Sequence, residues 1–186
     1  MADIRVASRY VKSLLDLAVE QNVLDKVDQD MQLFSKVCAE NHAFALMLKS
    51  PVIRHDKKRD ILTSLFKGKV SSLSMSIFDI ITKKNREPLL PSIAKEFHNA
   101  YNNYKNIGKA SVTTASPLDA KLKTEIEAIA KKLSDKGQVE LTQKVDKDLI
   151  GGFILNVGDK QIDASIKSKL KSLKVKFNEN PYVKEF

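Results

Sequence analysis

The chain has 186 residues, 42% of them hydrophobic and 30% charged, with a single cysteine and a formal net charge of +9. That length supports one large domain or two small ones with a buried core, and the composition excludes a disordered chain. No apolar run approaches the roughly 20 residues of a membrane-spanning helix; the charged start MADIRVASRYVK reads as neither secretory signal nor transit peptide; and the lone Cys38 permits no internal disulfide, which fits a reducing cytoplasm.

The basic excess is spread evenly. Residues 1–105 carry 17 Lys and Arg against 12 acids, residues 106–186 carry 15 against 11, and only five of the 32 bases are Arg. A basic, nucleic-acid-binding helical protein is the alternative that this charge raises; the even spread and the shortage of Arg forks count against it.

Residues 3–21 read as a helix with Asp3 placed to cap it. Its apolar residues, among them Ile4, Tyr10, Val11, Leu14 and Leu17, cover an arc of roughly 220° at 100° per residue. A helix facing one core needs about 100° or somewhat more. Either this helix is central to its own bundle, or part of the arc docks a partner helix. A second helix, 24–40, carries Leu24, Val27, Met31, Phe34 and Cys38 at spacings of three and four, which makes Cys38 a small buried hydrophobe. A short helix over 43–48 stops before Ser50-Pro51, because proline pushes its predecessor away from helical angles. The next begins near Asp56, a good cap, and runs through Ile61, Leu62, Leu65 and Phe66 to Gly68. Its charged start, Arg54 to Asp60, reads as solvated.

Residues 71–86 form a second helix that is too apolar for one core, with Leu73, Met75, Ile77, Phe78, Ile80 and Ile81 around most of the cylinder and Ser72, Ser74 and Ser76 between them. A sixth, 89–105, carries Ile93, Ala94, Phe97, Tyr101 and Tyr104. Six short helices without strands predict a compact bundle over residues 1–105. His42 and His98 have no ligand partner at helical spacing, His55 sits among charges, and the three make no site.

Asn106-Ile107-Gly108-Lys109 breaks the last bundle helix. A strand follows over 110–115, then a helix with Ser116 as cap and Pro117 in its first turn, ending at Gly137. Val139 to Val145 alternates as a half-buried strand, and Phe153 to Val157 forms another, ending at Gly158-Asp159, a dipeptide suited to a tight hairpin. Gly151-Gly152 inside an apolar run predicts a bulge or the close approach of another backbone. The pair is no phosphate loop, since Phe153-Ile154-Leu155 continues a strand. Asp146 and Asp148 flank a turn, where side-chain capping accounts for them. The last helix, 164–177, sets Ile166, Leu170, Leu173 and Phe177 on one face and five lysines, including Lys167, Lys171 and Lys174, on the rest. Residues 179–186 form a tail.

The run Val145-Asp146, Leu149, Gly151-Gly152-Phe153, Leu155, Gly158, then Ile162-Asp163-Ala164-Ser165 with Leu170 and Leu173, closely resembles the C-terminal signature of the delta subunit of F-type ATP synthases, the oligomycin-sensitivity-conferring protein family. The resemblance implies a mainly α chain, an N-terminal six-helix bundle followed by a small α/β C-terminal domain at 106–178. It implies a non-catalytic stator subunit, needing no cofactor, that connects the catalytic head to the peripheral stalk. In that family the first and fifth helices hold the N-terminal helix of an alpha subunit, which assigns Ile4, Tyr10, Val11, Leu14, Ile77, Phe78 and Ile81 to an apolar groove. The C-terminal domain meets the b subunits of the stalk, which assigns Lys167, Lys171 and Lys174 to that contact. Gly151, Gly152, Phe153, Gly158 and Asp163 are structural. The implied location is the cytoplasmic face of a bacterial plasma membrane, reached only through the complex.

Overall fold

The computed structural model describes residues 2–134 and 136–178, without the side chains of 2–4, 120 and 121. The Asp3 side chain, and with it the expected cap, and the 179–186 tail therefore lie outside what is described, while the backbone of Asp3 is already helical. Among those described, the chain is mainly helical with one small four-stranded sheet. It divides into two compact units between Lys105 and Asn106.

The first unit holds α1 (Ala2–Glu20), α2 (Leu24–Glu40), α3 (His42–Lys49), α4 (His55–Phe66), α5 (Ser72–Lys83), a 3-10 turn (Glu87–Leu89) and α6 (Leu90–Tyr104). Four of its helices, α1, α4, α5 and α6, are followed within two residues by a left-handed one, Asn22, Gly68, Asn85 and Asn106. Asn22 (φ 56°) and Asn85 (φ 54°) let the chain fold back, so that Val23 donates to the Ala18 carbonyl and Arg86 to that of Ile81. Asparagine tolerates this backbone better than other side chains do. The core is one cluster to which all six helices contribute. At its centre the Phe34 ring lies 5.1 Å from Phe78, 5.5 Å from Phe66 and 6.0 Å from Phe44. These rings are tilted or edge-on, the arrangements aromatic quadrupoles favour. Cys38 packs partly buried against this core, and burial pushes its thiol up to about 11.

Buried polar groups fix which helix lies against which. Asp28 on α2 has its Oδ1 3.0 Å from Nδ1 of His98 on α6, while the Asn102 amide lies 3.2 Å from the other ring nitrogen. His98 thus has a structural partner 70 residues away, which no local spacing reveals. Near the same helix ends the Tyr101 hydroxyl donates to Asp25 at 2.8 Å, and Lys105 pairs with that carboxylate at 3.0 Å. The Asp25 carboxyl is held below its usual range by those two partners. Burial, with the Asp25 carboxylate beside it, pushes Tyr101 up to about 12.

Two expectations for α4 are corrected. Arg54, not Asp56, occupies the N-cap position; Asp56 lies in the first turn, where its charge favours the positive end of the helix. The run 54–60 is also not wholly solvated. Lys58 is only 4% exposed, donating to the Leu48 carbonyl at 3.1 Å and lying 4.0 Å from the Glu87 carboxylate, itself 3% exposed.

The second unit holds β1 (Ile107–Thr114), α7 (Ala120–Leu133), β2 (Gln138–Val145), β3 (Phe153–Val157), β4 (Lys160–Asp163) and α8 (Ile166–Asn178), with sheet order β2-β1-β3-β4. β1 and β2 are parallel, from Ile107 against Gln138 to Thr114 against Val145, so the chain needs a crossover, and α7 is that crossover. β3 runs antiparallel to β1 and turns into β4 through Gly158-Asp159, with Val157 opposite Lys160. Gly158 takes φ +55° there. β4 is the second arm of the hairpin expected at Gly158-Asp159, an arm to which the sequence pattern gave no range. Ala110, Val112, Leu155 and Val157 pack with Ile126 and Ala130 of α7, so one face of the sheet is covered by that helix. α7 starts four residues later than Ser116. Asp119 holds its N-cap position, and the Ser116 carbonyl instead accepts from the Thr114 hydroxyl at 2.7 Å. As expected beside a turn, Asp146 accepts from the Asp148 amide at 3.0 Å.

Candidate docking surfaces

α5 is held at both ends by groups from other helices. At its start, the Asp30 carboxylate of α2 accepts from the Ser71 amide at 2.8 Å and the Ser74 hydroxyl at 2.7 Å, while Ser71 Oγ caps the Ser74 amide. Just past its end, Arg86 donates to the Tyr10 hydroxyl of α1 at 2.9 Å, its guanidinium 5.9 Å from the ring centroid. Such a stacked guanidinium is favourable both as donor and as cation over the ring.

Of the residues assigned to the groove, Val11, Leu14, Ile77, Phe78 and Ile81 are buried in the core, Tyr10 is half-buried, and the Ile4 side chain lies outside the described residues. The five core residues position the two helices from beneath rather than offering area to a visitor. Among the described residues of these two helices, Leu17 on α1, 44% exposed, and Ile80 on α5, 47% exposed, are the exposed large hydrophobics. Both belong to the over-wide apolar arcs. The breadth of each arc is their signal in the sequence, but it is a property of the whole helix and singles out no residue.

On its other side α5 faces α4 across a groove of about 410 Å³, floored by Leu62, Met75 and Phe78. The α5 wall presents Ser72 and Ser76, whose hydroxyl is turned back onto the Ser72 carbonyl at 2.9 Å. Arg59 and Lys67 stand on the α4 side.

In the second unit, α8 has no buried residue. Ile166, Leu170, Leu173 and Phe177 are all exposed at helical spacing, Phe177 to 84%, and Lys167, Lys171 and Lys174 are exposed beside them. No acid lies between Ile166 and Asn178. The signature residues seat the base of this helix. Gly152 has φ +77°, and a Cβ there would run into the Ala164 carbonyl oxygen and stand 3.1 Å from Ser165 Cα. A Cβ at Gly151 would meet Ile166 Cδ1 at 2.7 Å. The two backbones are then tied by Ala164 donating to Phe153 O at 2.9 Å and Ile166 to Gly151 O at 3.0 Å. Asp163 accepts from the Ser165 amide at 2.8 Å and the Ser168 hydroxyl at 2.6 Å, and Ser165 Oγ accepts from the Ser168 amide.

The hydrogen bonds from Ser168 and then Ser165 hold the Asp163 carboxyl below the usual carboxylate range. A depressed folded-state value means the contribution is complete above the unfolded value of about 3.9 and is lost as pH falls through the folded one. Asp163→Asn should therefore destabilise the second unit at pH 7 and narrow its stability difference between pH 7 and pH 3. Urea unfolding at the two pH values checks this, and an unchanged difference would remove Asp163 from the role.

A family model described as the ATP synthase delta (OSCP) subunit matches residues 6–177. The ATP synthase subunit delta of Cytophaga hutchinsonii is 41% identical over 179 residues, covering 96% of this chain and 97% of the relative. That of Christiangramia forsetii is 35% identical over 183 residues, covering 98% of each. That of Lactobacillus johnsonii is 36% identical over 176 residues, covering 94% and 96%. Among solved structures, a chain of the Toxoplasma gondii mitochondrial ATP synthase hexamer shares the fold with a TM-score of 0.70 at 24% identity, over 94% of this chain and 98% of that one. Full-length matches to bacterial relatives, joined to the Gly151-Gly152 joint and the exposed α8 that follows it, lead to one assignment: the chain belongs to the ATP synthase delta (OSCP) subunit family.

Proposed function

We propose that the chain is a non-catalytic stator adaptor of an F-type ATP synthase, joining the catalytic head to the peripheral stalk and resisting rotor torque during proton-driven synthesis. The first unit, acting as a six-helix bundle, takes the N-terminal helix of an alpha subunit against α1 and α5. The second unit meets the b subunits of the stalk through α8, whose Lys167, Lys171 and Lys174 steer acidic segments toward its apolar stripe. Through these partners the chain is held at the cytoplasmic face of the bacterial plasma membrane. Among the described residues no helix is long and apolar enough to cross it. The observation that carries the reading is family membership across both units together with an unpartnered apolar surface on each. Two contacts on one body hold more tightly than either alone, through effective concentration.

On the head side Leu17, Ile80 and the half-buried Tyr10 supply area, Ile4 joins them only by the family assignment, and Val11, Leu14, Ile77, Phe78 and Ile81 set the spacing beneath. Calorimetric titration of the full chain with a synthetic alpha-subunit N-terminal peptide tests this. One-to-one binding with a negative heat-capacity change and little salt dependence is expected. Leu17→Glu and Ile80→Glu should each weaken it at least tenfold, about 1.4 kcal/mol, with helicity unchanged. Undiminished binding by both variants would withdraw the α1–α5 surface. Affinity for duplex oligonucleotide that falls steeply with salt would instead favour the nucleic-acid alternative.

A further inference from the structure

The groove between α4 and α5 is not used by the head-docking reading, which places its partner on the Leu17 and Ile80 side. Its volume, about 410 Å³, lies within the range of sites that enclose a partner group. Its floor is apolar. The back-bonded Ser76 and the neighbouring Ser72 keep the α5 wall low, so that a second backbone can come close.

The rim carries the information about what fits. Asp79 is already neutralised by Lys83 at 2.8 Å. Arg59 and Lys67 are exposed and take part in no ion pair among the described residues. Eight residues separate them, about 12 Å along a helix axis at 1.5 Å per residue. Two uncompensated cations flanking an apolar floor match one kind of visitor, an amphipathic helix with apolar residues facing the floor and two acids about two turns apart facing the cations. We propose that this groove is a second docking site of the first unit and that its occupant is a short acidic amphipathic helix, distinct from the helix held by α1 and α5.

The test uses the isotope-labelled full chain and a synthetic amphipathic helix with leucines on one face flanked by glutamates, together with its lysine-flanked counterpart. The glutamate peptide should shift the amide resonances of Thr63, Ser72 and Ser76. Arg59→Glu/Lys67→Glu should weaken it at least about tenfold while improving binding of the lysine peptide, as expected when two partly exposed charge contacts reverse sign. Leu17→Glu should leave it unchanged, which separates failure here from failure of the head-docking reading. Shifts confined to the Leu17 and Ile80 side or to α8 would overturn the proposal, as would unaltered affinity in the folded double variant. Sedimentation showing a dimer of the free chain that Arg59→Glu/Lys67→Glu dissolves would make the occupant a second copy, which also overturns it.

Discussion

Gly152→Ala is expected to lower the stability of the second unit by about 3 kcal/mol, combining a left-handed backbone that alanine adopts poorly with a collision against fixed atoms. The obstacle is the Ala164 carbonyl and the Ser165 Cα, both backbone, so no side-chain rotation relieves it. The chain there has little freedom to withdraw, because the Phe153–Ala164 and Gly151–Ile166 hydrogen bonds hold the same two segments together. Gly158→Ala is the control. Gly158 also has positive φ but open space around it, so the backbone term alone applies and about 1 kcal/mol is expected. Hydrogen exchange at Val112 and Leu155, compared with Phe34 and Phe97, reports each unit separately. Equal losses for the two glycine variants would mean that the joint yields and close approach is not what Gly152 provides.

Lys58→Met should cost the first unit about 3 kcal/mol or more, a loss set less by the bond removed than by the Glu87 carboxylate left behind in the interior. The Leu48 carbonyl at the end of α3 loses its donor in the same substitution. Lys58→Met/Glu87→Leu should recover most of the loss, since an apolar pair of similar volume avoids the desolvation of both charges. Urea unfolding of wild type, both single variants and the double variant closes the cycle. A double variant no more stable than Lys58→Met would show that the lysine acts through Leu48 alone.

These two sites mark how far the sequence could be read. Periodicity found the helices of the first unit within a few residues, because three-and-four spacing of Leu24, Val27, Met31 and Phe34 is a local property that burial then respects. The glycine pair was legible because glycine inside an apolar run needs a steric reason. Partners distant in sequence were not legible. Lys58 stands in a run of alternating charge, and nothing near it announces Glu87; Asp30 and Asp28 look like surface acids of α2 until Ser71, Ser74 and His98 arrive from other helices. The candidate groove shows the same limit differently. Hydrophobic arcs on α1 and α5 measured how much apolar surface each helix has, whereas only packing decides that Phe78 goes inward and Ile80 outward. β4 is foreshadowed by the Gly158-Asp159 turn, but its four residues, two of them charged, carry too little alternation to give it a range.

The paired restraints on α5 bear on how a rigid adaptor carries force. A helix gripped by an outside partner and fastened only through its loops would swing on them like a lever, and strain would be stored in the loops. Here a pull toward either end of α5 meets side chains anchored elsewhere, the Asp30 carboxylate at the start and the Arg86–Tyr10 contact just past the end. If a head helix docks on α5 as proposed, the twisting load it delivers would be shared between α2 and α1 at two points roughly one helix length apart. That spacing lets the unit oppose a couple as well as a pull. Compliance in the first unit is then set by helix packing, which is stiff, and little of it by chain flexibility at the two connections.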